Sequence, residues 1–172
     1  SPGKHPAHSK WKIYQEKKAD EHTLDMWFKG RFENYNIGVV TGKVSDNIFV
    51  VDVDVGEGKD GDDSLNTLEL ENDDLPATLE QVTGSGGRHY FYKAPDNHQI
   101  HTGANTLGSG IDTRGEGGFV VVAPSVHKSG GSYSLVEQTC GIESSPVWLS
   151  DLSSESHFQL NGSGNGLNGA VK

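Results

Sequence analysis

Hydrophobic and polar positions along this chain alternate in short runs rather than in long helical stripes. The strongest run, Ile48-Phe49-Val50-Val51-Asp52-Val53-Asp54, is almost wholly apolar until it ends in carboxylates. An apolar run of that length, rich in β-branched residues, reads as a buried strand. Further strands are predicted over 37–41, 79–83, 89–93, 111–114, 119–123 and 133–136, with Gly, Pro, Asn or Asp nearby. Helical signals are fewer. Thr23 has the side chain of an N-cap for a short helix through Leu24, Met26, Trp27 and Phe28 that stops near Gly30. Leu65, Leu68 and Leu70, set among acids, predict an exposed helix ending before Pro76, and Pro146 opens a last helix with Trp148 and Leu149. Residues 1–10 read as an irregular lead-in. From Ser153 the chain turns to Ser, Asn and Gly, so 153–172 reads as a linker or disordered tail. One domain of mixed helix and strand over 1–152 is the expected organisation, and the tail suggests a further domain beyond it.

The carboxylates at the end of the central run add chemistry to this pattern. Asp52 and Asp54 are spaced i, i+2, so a strand puts both on one face, roughly 6.6 Å apart along the backbone. Their repulsion calls for a divalent cation or a basic partner. The other reading is a strand that stops at a solvated acidic loop, and Gly56-Glu57-Gly58-Lys59-Asp60-Gly61-Asp62-Asp63 supports it equally.

Three more segments bear on function. Thr83-Gly84-Ser85-Gly86-Gly87-Arg88-His89 is a glycine turn running into a strand. Its backbone N–H groups can form an anion-binding nest, with Arg88 and His89 as added donors for phosphate, or the segment is an ordinary hairpin loop. Asp112, before the glycine turn at 115–118, can supply a third carboxylate to an oxygen-rich cradle for Mg²⁺ or Mn²⁺. Arg114 shares its face and can pair with Asp112 or with a substrate phosphate; a plain surface pair, worth only ~0–1 kcal/mol, also accounts for both. Thr41-Gly42-Lys43-Val44-Ser45 reads as a hairpin connection.

Charge and cysteine usage narrow the setting. With 14 Lys and Arg against 24 Asp and Glu, the net charge of −10 argues against a broad basic face that grips duplex DNA. Nucleic-acid contact must then be local, through residues such as Lys43, Lys93 and Lys128, or completed by another domain. A single cysteine, Cys140, excludes an intramolecular disulfide and a multi-cysteine zinc knuckle, and fits a reducing compartment. No segment reaches the ~20 apolar residues of a membrane span, and no signal-peptide core is present. A soluble, intracellular protein is expected.

The order of the segments is more specific than any one of them. Asn36-Ile-Gly-Val-Val-Thr-Gly, then Val-Val-Asp-Val-Asp, then Gly-Ser-Gly-Gly-Arg-His-Tyr-Phe-Tyr, then Ile-Asp-Thr-Arg-Gly-x-Gly-Gly-Phe-Val-Val-Val-Ala-Pro-Ser resembles the bifunctional DNA primase/polymerase (prim-pol) domain of the archaeo-eukaryotic primase superfamily. The resemblance runs from Gly3-Lys4-x-Pro6-Ala7 to about Ser134. It implies an α+β fold: an antiparallel sheet core like that of the RNA-recognition motif, flanking helices and a small α/β lobe. It also implies template-directed nucleotidyl transfer from nucleoside triphosphates, on a single-stranded DNA template with a primer. Asp52, Asp54 and Asp112 match the family's catalytic, metal-binding acids. His89 matches its phosphate-contacting histidine, with Arg88, Ser85, Gly86 and Gly87 beside it, and Arg114, Ser125 and His127 are further nucleotide-pocket candidates. A helicase or other replication domain, and the cytoplasm of a cell hosting a plasmid, phage or mobile element, are the implied context. The family's usual opening strand and helix are missing before Gly3, which suggests a processing boundary, and its cysteine-rich zinc stem cannot be built here. Rival expectations are a metal-dependent phosphodiesterase or nuclease, and a non-catalytic nucleic-acid-binding module.

Overall fold

The computed structural model describes residues 5–56, 58–137 and 140–154. Most of the tail expected over 153–172 lies outside the described residues. In chain order the elements are α1 (Glu21–Met26), β1 (Ile37–Val40), β2 (Ile48–Val53), β3 (Val55–Gly56), β4 (Lys59–Asp60), α2 (Gly61–Glu71), β5 (Leu79–Val82), β6 (Arg88–Lys93), β7 (Gly103–Gly108), β8 (Ile111–Arg114), β9 (Phe119–Val122), β10 (Ser134–Leu135), β11 (Glu143–Ser144) and α3 (Val147–Leu152). The main sheet runs β10-β5-β6-β2-β8-β7 with every neighbour antiparallel. β11 adds a short parallel pair to β6 at Tyr92 and Lys93, beyond the residues of β6 that pair with β5. β1 and β9 form a separate antiparallel ribbon, and β3 with β4 a third small pair. The fold is α+β.

Strand β2 is apolar from Ile48 to Val51 because that stretch is covered on both faces. Phe49, Val51 and Val53 face one way and pack with Tyr92, Ile111, Leu65 and Leu68 of α2, and Leu149 of α3. Val50 faces the other way and packs with Phe91 and with Val120 of the β1–β9 ribbon, flanked by Ile48, Leu79 and Val122. The ribbon covers only part of that second face. Where its cover ends, the alternation that placed Ile48 and Val50 inward places Asp52 on the same side.

Several predicted elements are corrected. The N-cap of α1 is Asp20, not Thr23: Asp20 Oδ1 accepts the Thr23 backbone N–H at 2.8 Å, a bond that holds the Asp20 carboxyl below its usual range. The helix itself ends at Met26, and a π-type turn over Trp27–Arg31 follows, with Gly30 non-helical. Helix α2 is amphipathic rather than wholly exposed. Leu65 and Leu68, three apart, are buried on the sheet, and Leu70 points outward at 88% exposure. The strand predicted over 133–136 shrinks to Ser134–Leu135. Strand β7, Gly-Ala-Asn-Thr-Leu-Gly, had no apolar alternation to reveal it. It is irregular, with a register shift between Gly103 and Gly108 and Asn105 at positive φ.

Among the described residues no helix is long and apolar enough to cross a membrane. The burial of α2 generates a stability prediction. Leu65→Ala should cost about 2–5 kcal/mol in denaturant unfolding, and Leu70→Ala should stay within about 0.5 kcal/mol; equal costs would contradict the face assignment.

Candidate active site: one row of side chains across four strands

Register builds the site. Gln81 of β5 pairs directly with His89 of β6, His89 with Asp52 of β2, and Asp52 with Asp112 of β8. Directly opposed residues put their side chains on the same face, with Cβ atoms about 4.5–5.5 Å apart. Four polar side chains therefore form one line across the sheet, on the face that the β1–β9 ribbon leaves partly open. His89 Nε2 lies 3.2 Å from Asp52 Oδ1. Arg114, two residues after Asp112 and so on the same face, donates from Nη2 to Asp112 Oδ2 at 2.7 Å and lies 3.4 Å from Asp52 Oδ2. The other Asp112 oxygen accepts the Asn105 backbone N–H at 2.8 Å, which fixes the carboxylate from the β7 side. The His89, Asp52 and Asp112 side chains are at most 14% exposed, whereas Arg114 reaches 31%.

Asp54 follows directly after β2. Its backbone N–H donates to Gly110 O, and its carboxylate takes an ion pair from Lys59 at 2.6 Å. Asp54 therefore shares its cation with the β4 hairpin and not with Asp112. Tyr133 is almost fully buried; burial raises the pKa of its phenol first, and the charges of Asp52 and Asp54 raise it further. The Tyr133 ring also lies 6.2 Å from the His89 ring.

The glycine turn closes tightly, with Thr83 N–H to Gly87 O and Gly86 N–H to Thr83 O. Gly86 has φ +96°, a conformation that favours glycine, and at Gly87 a Cβ would run into the Val53 carbonyl. Ser85, at the exposed tip, bonds the Thr83 hydroxyl at 3.1 Å. His127 packs against Gly84, and its Nδ1 bonds Ser129 Oγ, which in turn donates to Gly84 O. The turns at 83–87 and 127–131 are thus one unit beside His89. Ser125 is buried at the start of β1, where its hydroxyl accepts the Ile37 N–H at 2.9 Å.

Arg88 is not brought to this face. Alternation along β6 sends it opposite to His89, where it pairs with Glu80 and that bond raises its already high pKa. Sequence reasoning also passed over Gln81 and Tyr133. Gln81 carries a recognisable signal, an amide at a position that alternation marks as inward. Tyr133 is brought in by the packing of the segment after the 127–131 turn, which no local pattern encodes.

Among the described residues no three of His, Cys, Asp and Glu stand as a ready-made metal-binding group. Arg114 and Lys59 hold the acids here instead. The donors are nonetheless carboxylate oxygens on one face, the hard ligands that suit Mg²⁺ or Mn²⁺ rather than a thiophilic ion.

A sequence model of the family described as "Bifunctional DNA primase/polymerase, N-terminal" matches residues 1–148. The chain belongs to the Prim-Pol family. No curated protein sequence matches it closely enough to count as a relative. Prim-Pol membership supports a DNA primase/polymerase role, of nucleotidyltransferase type, with nucleotides and DNA as substrates. It gives the acids of the polar row a chemical context that a structural Asp–Arg pair lacks.

Tyr133 reports on this candidate site. Its phenol holds its proton above pH ~10, the ordinary value. Stability from this group is therefore present below pH ~10 and lost as pH rises through the raised value. In an NMR titration of the tyrosine rings, Asp52→Asn should lower the Tyr133 pKa towards the ordinary value and leave that of Tyr92, which is raised chiefly by burial, in place. An unmoved Tyr133 would detach it from the acids.

Proposed function

We propose that residues 1–152 form a template-directed DNA primase/polymerase domain that transfers nucleotidyl groups from (deoxy)nucleoside triphosphates to a 3′-hydroxyl. The observation that carries this reading is the direct pairing of Asp52 with Asp112, with His89 next in the same row. Asp52, Asp54 and Asp112 are the side chains that would hold a pair of Mg²⁺ or Mn²⁺ ions. When bound, such ions supply Lewis-acid activation of the hydroxyl and neutralise charge at the reacting phosphates.

The chain's own groups do the positioning. His89 presents Nε2 beside Asp52, where a phosphate oxygen can accept its hydrogen bond. In the turn at the start of the same strand the Ser85 and Gly87 backbone N–H groups can meet a phosphate while that of Gly86 is held by Thr83 O, and His127 backs that turn. Arg114 keeps the Asp52 and Asp112 carboxylates side by side and, being partly exposed, can reach a phosphate. Ser125 secures the ribbon that borders the row. Arg88, on the opposite face, stays outside it. Single-stranded template and primer, a helicase or other replication domain as partner, and replication of a plasmid, phage or mobile element in the host cytoplasm complete the reading.

Primer extension tests it. With Mn²⁺, a primed template and deoxynucleotides, Asp52→Asn and Asp112→Asn should each lower extension by at least about 100-fold, since even outer-sphere partners of metal ligands cost 10–100-fold, while the thermal transition stays cooperative. Wild-type extension by either variant would falsify the assignment, and shortening of the primer would turn the reading to a nuclease. His89→Ala should raise the nucleotide KM by about tenfold or more, the cost of losing a hydrogen bond to a charged group, with little change in DNA affinity. An unchanged KM would remove His89 from the pocket.

A further inference from the structure

Gln81 is completely buried in β5, yet it is polar and makes no contact with solvent. Burying an amide is costly unless each of its groups is bonded, and here each is. Its Nε2 donates to Val121 O at 2.8 Å, and its Oε1 accepts the Ala123 N–H at 3.0 Å. These two backbone partners lie on the strand end and turn of the ribbon, and they allow only one orientation of the amide. The reverse orientation would set Oε1 against a carbonyl oxygen and the amide NH₂ against an N–H. The second hydrogen of Nε2 is thereby aimed at His89 Nδ1, 2.7 Å away. An N–H donor at that distance requires a lone pair on Nδ1. The ring proton of neutral His89 must then sit on Nε2, the nitrogen that faces Asp52.

We propose that Gln81 is a positioning residue that fixes His89 in its Nε2–H tautomer, so that His89 enters the site as a hydrogen-bond donor. The inference rests on the reading of His89 as a nucleotide contact. It adds the reason why this imidazole can donate to a phosphate rather than compete with it as a second acceptor. Backbone groups of β9 and its following turn set the amide, the amide sets the ring, and the ring sets the donor. A leucine in that place would fill the volume but leave two backbone groups and Nδ1 unbonded.

The test reads the tautomer directly. Long-range ¹H–¹⁵N correlation spectra of the imidazole nitrogens in the wild-type protein should show His89 protonated at Nε2; protonation at Nδ1 would overturn the proposal without any variant. In Gln81→Glu the acceptor for Ala123 is kept while a carboxylate oxygen replaces the donor facing Nδ1. The proton should then appear on Nδ1, and the KM for dATP with Mn²⁺ should rise by about tenfold or more, with a smaller change in kcat. Gln81→Met, which can neither donate nor accept, should lose the single tautomer and raise KM in the same direction. If His89→Ala raises KM but both Gln81 variants keep the Nε2–H signal and the wild-type KM, the role of Gln81 fails while the nucleotide site stands. If Gln81→Glu moves the proton and neither it nor His89→Ala alters KM, the tautomer assignment stands and the nucleotide reading fails.

Discussion

The antiparallel register of β2 against β6 on one side and β8 on the other is the constraint on which the site depends. Because strand side chains alternate, slipping either pairing by one residue would send His89 or Asp112 to the opposite face, among the leucines of α2. The register is held by burial on both faces of β2. Phe49, Val51 and Val53 are locked against α2 and α3, and Val50 is locked against the ribbon. The hydrophobic core therefore aligns the polar row. Asp52 sits where the core side chains of β2 give way to the polar row, which is why an apolar strand can present a carboxylate near its end.

Electrostatics give the row its second property. Three carboxylates stand in a chain that is already strongly acidic, and two local cations compensate them: Arg114 for Asp52 and Asp112, Lys59 for Asp54. Arg114 and Lys59 are both more exposed than the acids they meet. Long, exposed cationic side chains can move away at small cost, because partly exposed ion pairs are weak. Asp52 and Asp112 are thus pre-aligned by backbone register, and the acids are tethered by side chains that can yield to competing charges.

Much of this was legible in the sequence, for physical reasons particular to each element. The β2 run announced itself because two-faced burial leaves no polar interruption before Asp52, whose face followed from alternation alone, whereas Asp54 lies just beyond the strand and pairs with Lys59. Asp112 and Arg114 could be placed on one face, but their approach to Asp52 is a long-range pairing that no local pattern contains; family resemblance supplied it. Arg88 was misplaced beside His89 because adjacency in sequence means opposite faces on a strand. Gln81 was missed because a single inward amide looks like a defect until its three partners are known. Strand β7 was missed because Gly, Asn and Thr carry no burial signal, although Asn105 there helps orient Asp112.

The central claim is that divalent ions are held by the β2–β8 acids, and paramagnetic broadening of backbone amide signals by substoichiometric Mn²⁺ tests it most directly. Broadening should begin at Asp52, His89, Asp112 and Tyr133 and fade along the neighbouring strands. Broadening centred instead on the acidic residues of 60–63 or 71–74, with the row across the sheet left sharp, would contradict the account and return Asp52 and Asp112 to the status of an internal ion pair with Arg114.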